Sequence, residues 1–274
     1  MTFDLAMPLT LFFVTLVSLF LNQKTESKLK VTLDEKEFRT RDAVLLVAVM
    51  VVMISLIAFL RDIVAPLMIL FMFSYSALLF MFTYVFTNRR WYLAIIPPIV
   101  FILSYVFLRD TSLWTLHLVN IYAVIFAILI TLYIGSMFTW KSTLIFTALL
   151  TIVDIILVLI TGTMIEAANA ARGLSLPVMV TVPVIPLISM AEGIQFMSLG
   201  LGDFFFAGLV VTQSFRKYGR KFALLSAVSI TVSFFIFEAL LLTYRFAAFP
   251  GTLMIICGWL PLVAFKYLKK APAS

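Results

Sequence analysis

Apolar residues run along this chain in long unbroken stretches, and polar residues gather in the short intervals between them. About 20 apolar residues cross a bilayer as a helix. By that rule the pattern predicts spans at 5–21, 43–60, 63–86, 91–108, 113–138, 143–165, 191–215, 222–244 and 246–265. This predicts an all-α, polytopic membrane protein with nine transmembrane helices. The first run has no basic residue before it and no small-residue cleavage pattern after it, so it reads as a span and not as a removable leader. The turns at Arg61-Asp62 and Arg109-Asp110 are short enough to make their neighbours antiparallel hairpins. Pro66, Pro97 and Pro98 predict local kinks, and 24–42 predicts a solvated, mixed-charge connection.

Composition narrows the function classes. The chain is 64% hydrophobic and 12% charged, which excludes a soluble globular domain of ordinary make-up. Its net charge of +7 belongs to loops between apolar runs, so nucleic acid is excluded as a partner and the lipid bilayer takes its place. Cys257 and His117 are each the only residue of their kind, which leaves no internal disulfide and no zinc cluster. No metal or other cofactor is expected.

The basic residues also orient the chain. With nine spans, 16 of the 20 lysines and arginines fall on one side, and only Arg61, Arg109, Arg172 and Arg245 on the other. Cytoplasmic loops carry the excess of positive charge. The amino terminus is therefore predicted outside and the carboxyl terminus in the cytoplasm, with the cell membrane as the location.

No lysine or arginine falls inside a predicted span, yet Asp154, Asp203 and Glu238 do. An ionisable group at membrane depth is costly and marks a functional site by default. Thr147, Thr151, Asp154 and Thr161 share one helical face of the sixth span. Asp154 stands as far from the inner end of its span, at Ser142, as Asp203 does from the inner end of the next, at Phe215. At about 1.5 Å per residue both sit about 18 Å from the same surface. The expectation is that the two acids meet.

Around Asp203 the sequence reads Ser198-Leu199-Gly200-Leu201-Gly202-Asp203-Phe204. Gly200, Asp203 and Ala207 are predicted to share a helix face, and Gly200 and Gly202 to admit close approach of another backbone. Between the two spans, 166–192 forms a long connection whose stretch 176–186, rich in valine and proline, is either extended or a short re-entrant cap. Glu166 and Glu192 are expected at the outer interface. Glu238 is expected to hydrogen-bond between helices.

Two carboxyls close together in a low dielectric cannot both ionise, so one acts as general acid and the other as general base. Such a pair activates water against a peptide carbonyl and protonates the leaving nitrogen. The motif Gly200-Leu201-Gly202-Asp203, with a partner acid at equal depth one span earlier, resembles the presenilin and signal peptide peptidase family of intramembrane aspartyl proteases. The resemblance implies nine spans in a presenilin-like fold and catalytic acids at Asp154 and Asp203. It also implies substrate contacts at Gly200, Leu201 and Gly202, with transmembrane helices, signal peptides or signal anchors as substrates. The family's Tyr-Asp pair is Val153-Asp154 here. Its Pro-Ala-Leu motif is matched either by Pro250-Gly251-Thr252-Leu253, at the start of the ninth span, or by Pro261-Leu262-Val263, at the far end. The former is carried over as the substrate edge. On this reading the chain is one membrane-embedded unit, 1–274, with a scaffold in 1–140 and the catalytic spans in 141–274. A proton- or cation-coupled transporter using the same buried acids is the rival reading.

Overall fold

The computed structural model describes residues 3–33, 37–59, 64–186, 189–190, 193–244, 246 and 248–269. The Arg61-Asp62 turn, the expected start of the seventh span at Ala191, Glu192 and Arg245 lie outside these. The described chain is mostly helical, and eight of its helical segments are long and apolar enough to cross a membrane. It is an integral, multi-pass membrane protein by that measure.

Helix α1 covers Ala6–Leu33, α2 Thr40–Phe59 and α3 Val64–Phe86. The expected solvated connection after the first span is therefore helical as far as Leu33. A short α4, Trp91–Ala94, is followed by α5, Ile96–Leu108, and the break falls at Ile95. Pro97 and Pro98 cause it, because neither has an N–H to give to the turn before. Pro66, in the first turn of α3, costs no such bond, since first-turn N–H groups lack helical partners anyway. A π turn, Trp114–Leu118, leads into α6, Val119–Met137.

Helix α7 is Trp140–Ile155, continued by a π turn at Ile156–Ile160 and followed by the short α8, Thr163–Gly173. Strands β1, Met179–Pro183, and β4, Phe196–Gly200, pair antiparallel, with Met179 opposite Gly200. A smaller pair, β2 (Ser189–Met190) and β3 (Gly193–Ile194), forms the tip. Then come α9, Leu201–Tyr218, α10, Arg220–Tyr244, and α11, Gly251–Leu268. The extended alternative for 176–186 is the one observed. The all-α reading needs this small β hairpin added to it.

The hairpin corrects the expected seventh span. Its first described residues form β3 and β4, and the helix begins only at Leu201. The reason is ladder pairing: β4 follows β1 register by register to Gly200, and Leu201 N–H still bonds the Val178 carbonyl. A sequence reader sees only continuous apolarity, which does not separate a buried strand from a helix.

Helix α9 is the centre of the protein. Leu201 and every residue from Phe204 to Ser214 are buried, and α1, α6, α7, α10 and α11 all pack on it. A helix buried this completely has neighbours on all sides, and its Thr212, Gln213 and Ser214 are covered along with its apolar residues. Two glycines set helix spacings in this bundle: a methyl on Gly208 of α9 would lie 2.5 Å from Thr131 Cγ2 on α6. One on Gly258 would lie 2.5 Å from the Ser229 carbonyl oxygen, so α10 and α11 meet backbone to backbone. By contrast α2, α3 and α5 turn large side chains outward, with Leu45, Phe73 and Phe107 mostly exposed. That face suits lipid.

Candidate active site

Thr139 starts the helix that carries Asp154. Its hydroxyl accepts from Ser142 N–H at 3.2 Å, and its own N–H donates to Ser142 Oγ at 2.9 Å, a reciprocal cap that satisfies two otherwise orphaned donors. From there α7 rises to Asp154, which is buried. Thr151 donates back to the Thr147 carbonyl, so this threonine serves its own helix. Directly after Asp154 the helix widens into its π turn, a distortion common at functional sites. The extra residue breaks the regular stripe, so Thr161 does not follow from Asp154 by simple helical spacing.

Asp203 arrives by a different route. Strand β4 enters α9 with no loop between them, Gly200 is the residue before the helix, and Asp203 stands in the first turn. It thus lies at the positive end of the helix dipole. Gly200 is extended and lies outside the helix, so the expected shared face of Gly200, Asp203 and Ala207 does not exist. A methyl on Gly200 would make an ordinary 3.5 Å contact with Asp203 Oδ2, and one on Gly202 would meet nothing within 4 Å. Neither glycine is demanded by the packing of the chain itself.

The demanding glycine is Gly251. A methyl there would lie 2.5 Å from Asp203 Oδ1 and 2.6 Å from its Cγ. The next residue, Thr252, is buried and holds the other acid: its hydroxyl donates to Asp154 Oδ2 at 2.6 Å and its N–H to the same oxygen at 3.3 Å. Adjacent residues at the start of α11 therefore touch both aspartates, and the two carboxyls are near enough for the charge of one to act on the other. Pro250, extended and buried, ends the incoming chain and sets the first turn of α11. Pro261 lies inside the same helix, well away from this first turn. Leu253 is partly buried in that turn.

Asp203, Gly200 and Gly251 open onto a cavity of about 940 Å³. Strand β4 lines it along its length, as do Met254 on α11, Phe234, Glu238 and Leu241 on α10, and Arg172 in the last turn of α8. Leu201 and Gly202 are not on its wall. Among the described residues the β sheet is two-stranded, so each strand has one backbone edge without a ladder partner.

Residues from the first half of the chain hold this hairpin in place, and sequence reading assigned them nothing. Asn120 of α6 donates to the Thr181 carbonyl at 2.9 Å and accepts from Thr181 N–H at 2.8 Å, taking the place of a third strand. Tyr105 bonds the Leu174 carbonyl, Trp114 that of Ser175 and Tyr75 that of Pro177. At the amino terminus the buried Asp4 accepts from Ile185 N–H at 2.8 Å. The available signal was a polar tip on an otherwise apolar stretch, clearest for Asn120. Compared with family models and with curated proteins, the chain matches none.

Proposed function

We propose that the chain is an intramembrane aspartic endopeptidase that hydrolyses peptide bonds within transmembrane helices, signal peptides or signal anchors. The observation that supports it is the junction at Gly251 and Thr252, which touches both Asp203 and Asp154; of these residues Gly251 and Asp203 line the large cavity, with Thr252 and Asp154 behind them. Counting α9 as the seventh crossing, the chain has nine, in a presenilin-like arrangement.

In this mechanism one carboxyl holds a proton and the other is ionised. The ionised one takes a proton from water as the water oxygen attacks the peptide carbonyl. The tetrahedral intermediate then collapses, the C–N bond breaks, and the protonated carboxyl gives its proton to the leaving nitrogen. Thr252 orients Asp154 through one carboxyl oxygen and leaves the other free. Because a helical peptide bond is shielded by its own hydrogen bonds, the substrate has to unwind first. The open edge of the β hairpin beside Asp203 offers the unwound stretch replacement backbone bonds, as strand addition does elsewhere.

The deciding experiment uses the purified chain in a bilayer with a labelled membrane-helix peptide. Internal cleavage products that vanish with Asp154→Asn and with Asp203→Asn are expected. Intact peptide in every case would sink the reading.

A further inference from the structure

Glu238 is the buried acid that this reaction leaves unused. It sits on α10, 1% exposed, on the wall of the cavity that also holds Asp203. The expected hydrogen bond to a neighbouring helix is not found: neither carboxyl oxygen accepts from an N–H or hydroxyl among the described residues, and its polar contact is with another acid. Facing it is Asp4, which is wholly buried.

Asp4 is already satisfied. It accepts from Ala6 N–H at 2.9 Å, from Met7 N–H at 3.2 Å and from Ile185 N–H at 2.8 Å, and it stands at the positive end of α1. Among the described residues no comparable set of donors offsets a charge on Glu238. A carboxylate that faces another carboxylate and has no donor of its own needs a proton or a cation. The cavity wall beside it, from Met7, Phe234 and Leu241, is apolar, as the methylene stem of a long basic side chain requires.

We propose that Glu238, with Asp4 behind it, is a specificity subsite for one basic side chain of the substrate helix. The idea rests on the endopeptidase reading and adds a substrate class to it. Geometry also places the basic residue. Measured from the turn at Gly219, Glu238 lies further along α10 than Asp203 lies back along α9. At about 1.5 Å per residue that difference puts Glu238 about 4–5 Å nearer the outer side. A sphere of the cavity's volume is about 12 Å across, the length of about four extended residues. The lysine or arginine therefore lies within about four residues of the cut bond, toward the outer side.

The test uses the whole protein in nanodiscs and an uncharged membrane-helix peptide carrying one lysine, moved position by position and compared with norleucine. Binding is read by photo-crosslinking and cleavage by product mass. One position within that window is expected to favour lysine about tenfold in both readouts, and Glu238→Gln should bring the ratio to about one. No lysine preference at any position in the unaltered protein overturns the subsite, even where norleucine peptides are cut. So does a preference that survives Glu238→Gln. The scan on the unaltered protein decides the matter even if that variant fails to insert. Lysine-favoured crosslinking with no cleavage supports the subsite and sinks the endopeptidase reading.

Discussion

Thr252 holds Asp154 by two bonds to a single carboxyl oxygen, one from its hydroxyl at 2.6 Å and one from its N–H at 3.3 Å. A hydrogen bond to a charged group contributes about 1.5–3 kcal/mol, so its loss is large on a rate scale. Thr252→Val keeps the shape and removes the hydroxyl. It is expected to lower kcat by about 10- to 100-fold, and Thr252→Ser to recover most of that loss. Equal rates for the Val and Ser variants would show that the hydroxyl does not position Asp154.

Asp154→Asn and Asp203→Asn test the reading itself. Each is expected to abolish cleavage with helicity and membrane insertion unchanged, since Asn is nearly isosteric and cannot exchange the proton. A transporter would instead lose ion flux in these variants, and the parent protein would cut nothing.

The glycines now separate. Gly251→Ala drives a methyl to 2.5 Å from Asp203 Oδ1. Overpacking of this kind costs about 1–3 kcal/mol, and cleavage of every peptide should fall at least tenfold. Gly202→Ala meets nothing within 4 Å, so thermal stability should stay unchanged. Any effect of it should appear as an altered cut site that depends on the peptide. A destabilised Gly202→Ala protein would contradict the packing described.

The charge distribution makes its own prediction. With Cys257 replaced by Ala, a cysteine at the exposed Gly173 should react with an impermeant reagent added outside cells. One at the exposed Lys141 should react only after permeabilisation. That outcome puts the segment joining the two acidic helices outside, as in signal peptide peptidase and opposite to presenilin. If substrate polarity relative to the two aspartates is shared across that family, helices with their amino end in the cytoplasm are the preferred substrates. A reporter helix inserted in both orientations checks this, and preferential cutting of the amino-outside form contradicts it.

Apolar run length alone determined the membrane class and the approximate places of eight helices, because a bilayer imposes both length and apolarity on anything that crosses it. Asp154, Asp203 and Glu238 were equally legible, since a charged residue stands out in an apolar run without any knowledge of its neighbours. Equal depth, and with it the pairing of Asp154 and Asp203, followed from counting residues. What lay beyond the sequence was everything set by contact across elements. The switch from β4 to α9 at Gly200 depends on pairing with β1, and apolar composition is the same on either side of it. Which glycine abuts the acid depends on where Asp203 points, and that falls on Gly251, two helices later in the chain. Asn120 acts by reaching strand β1, Tyr105 and Trp114 by reaching the segment just before it, and Asp4 by reaching Ile185, all far along the chain. Hydrogen bonds over such separations are decided by the packing of helices around α9, which no local pattern encodes.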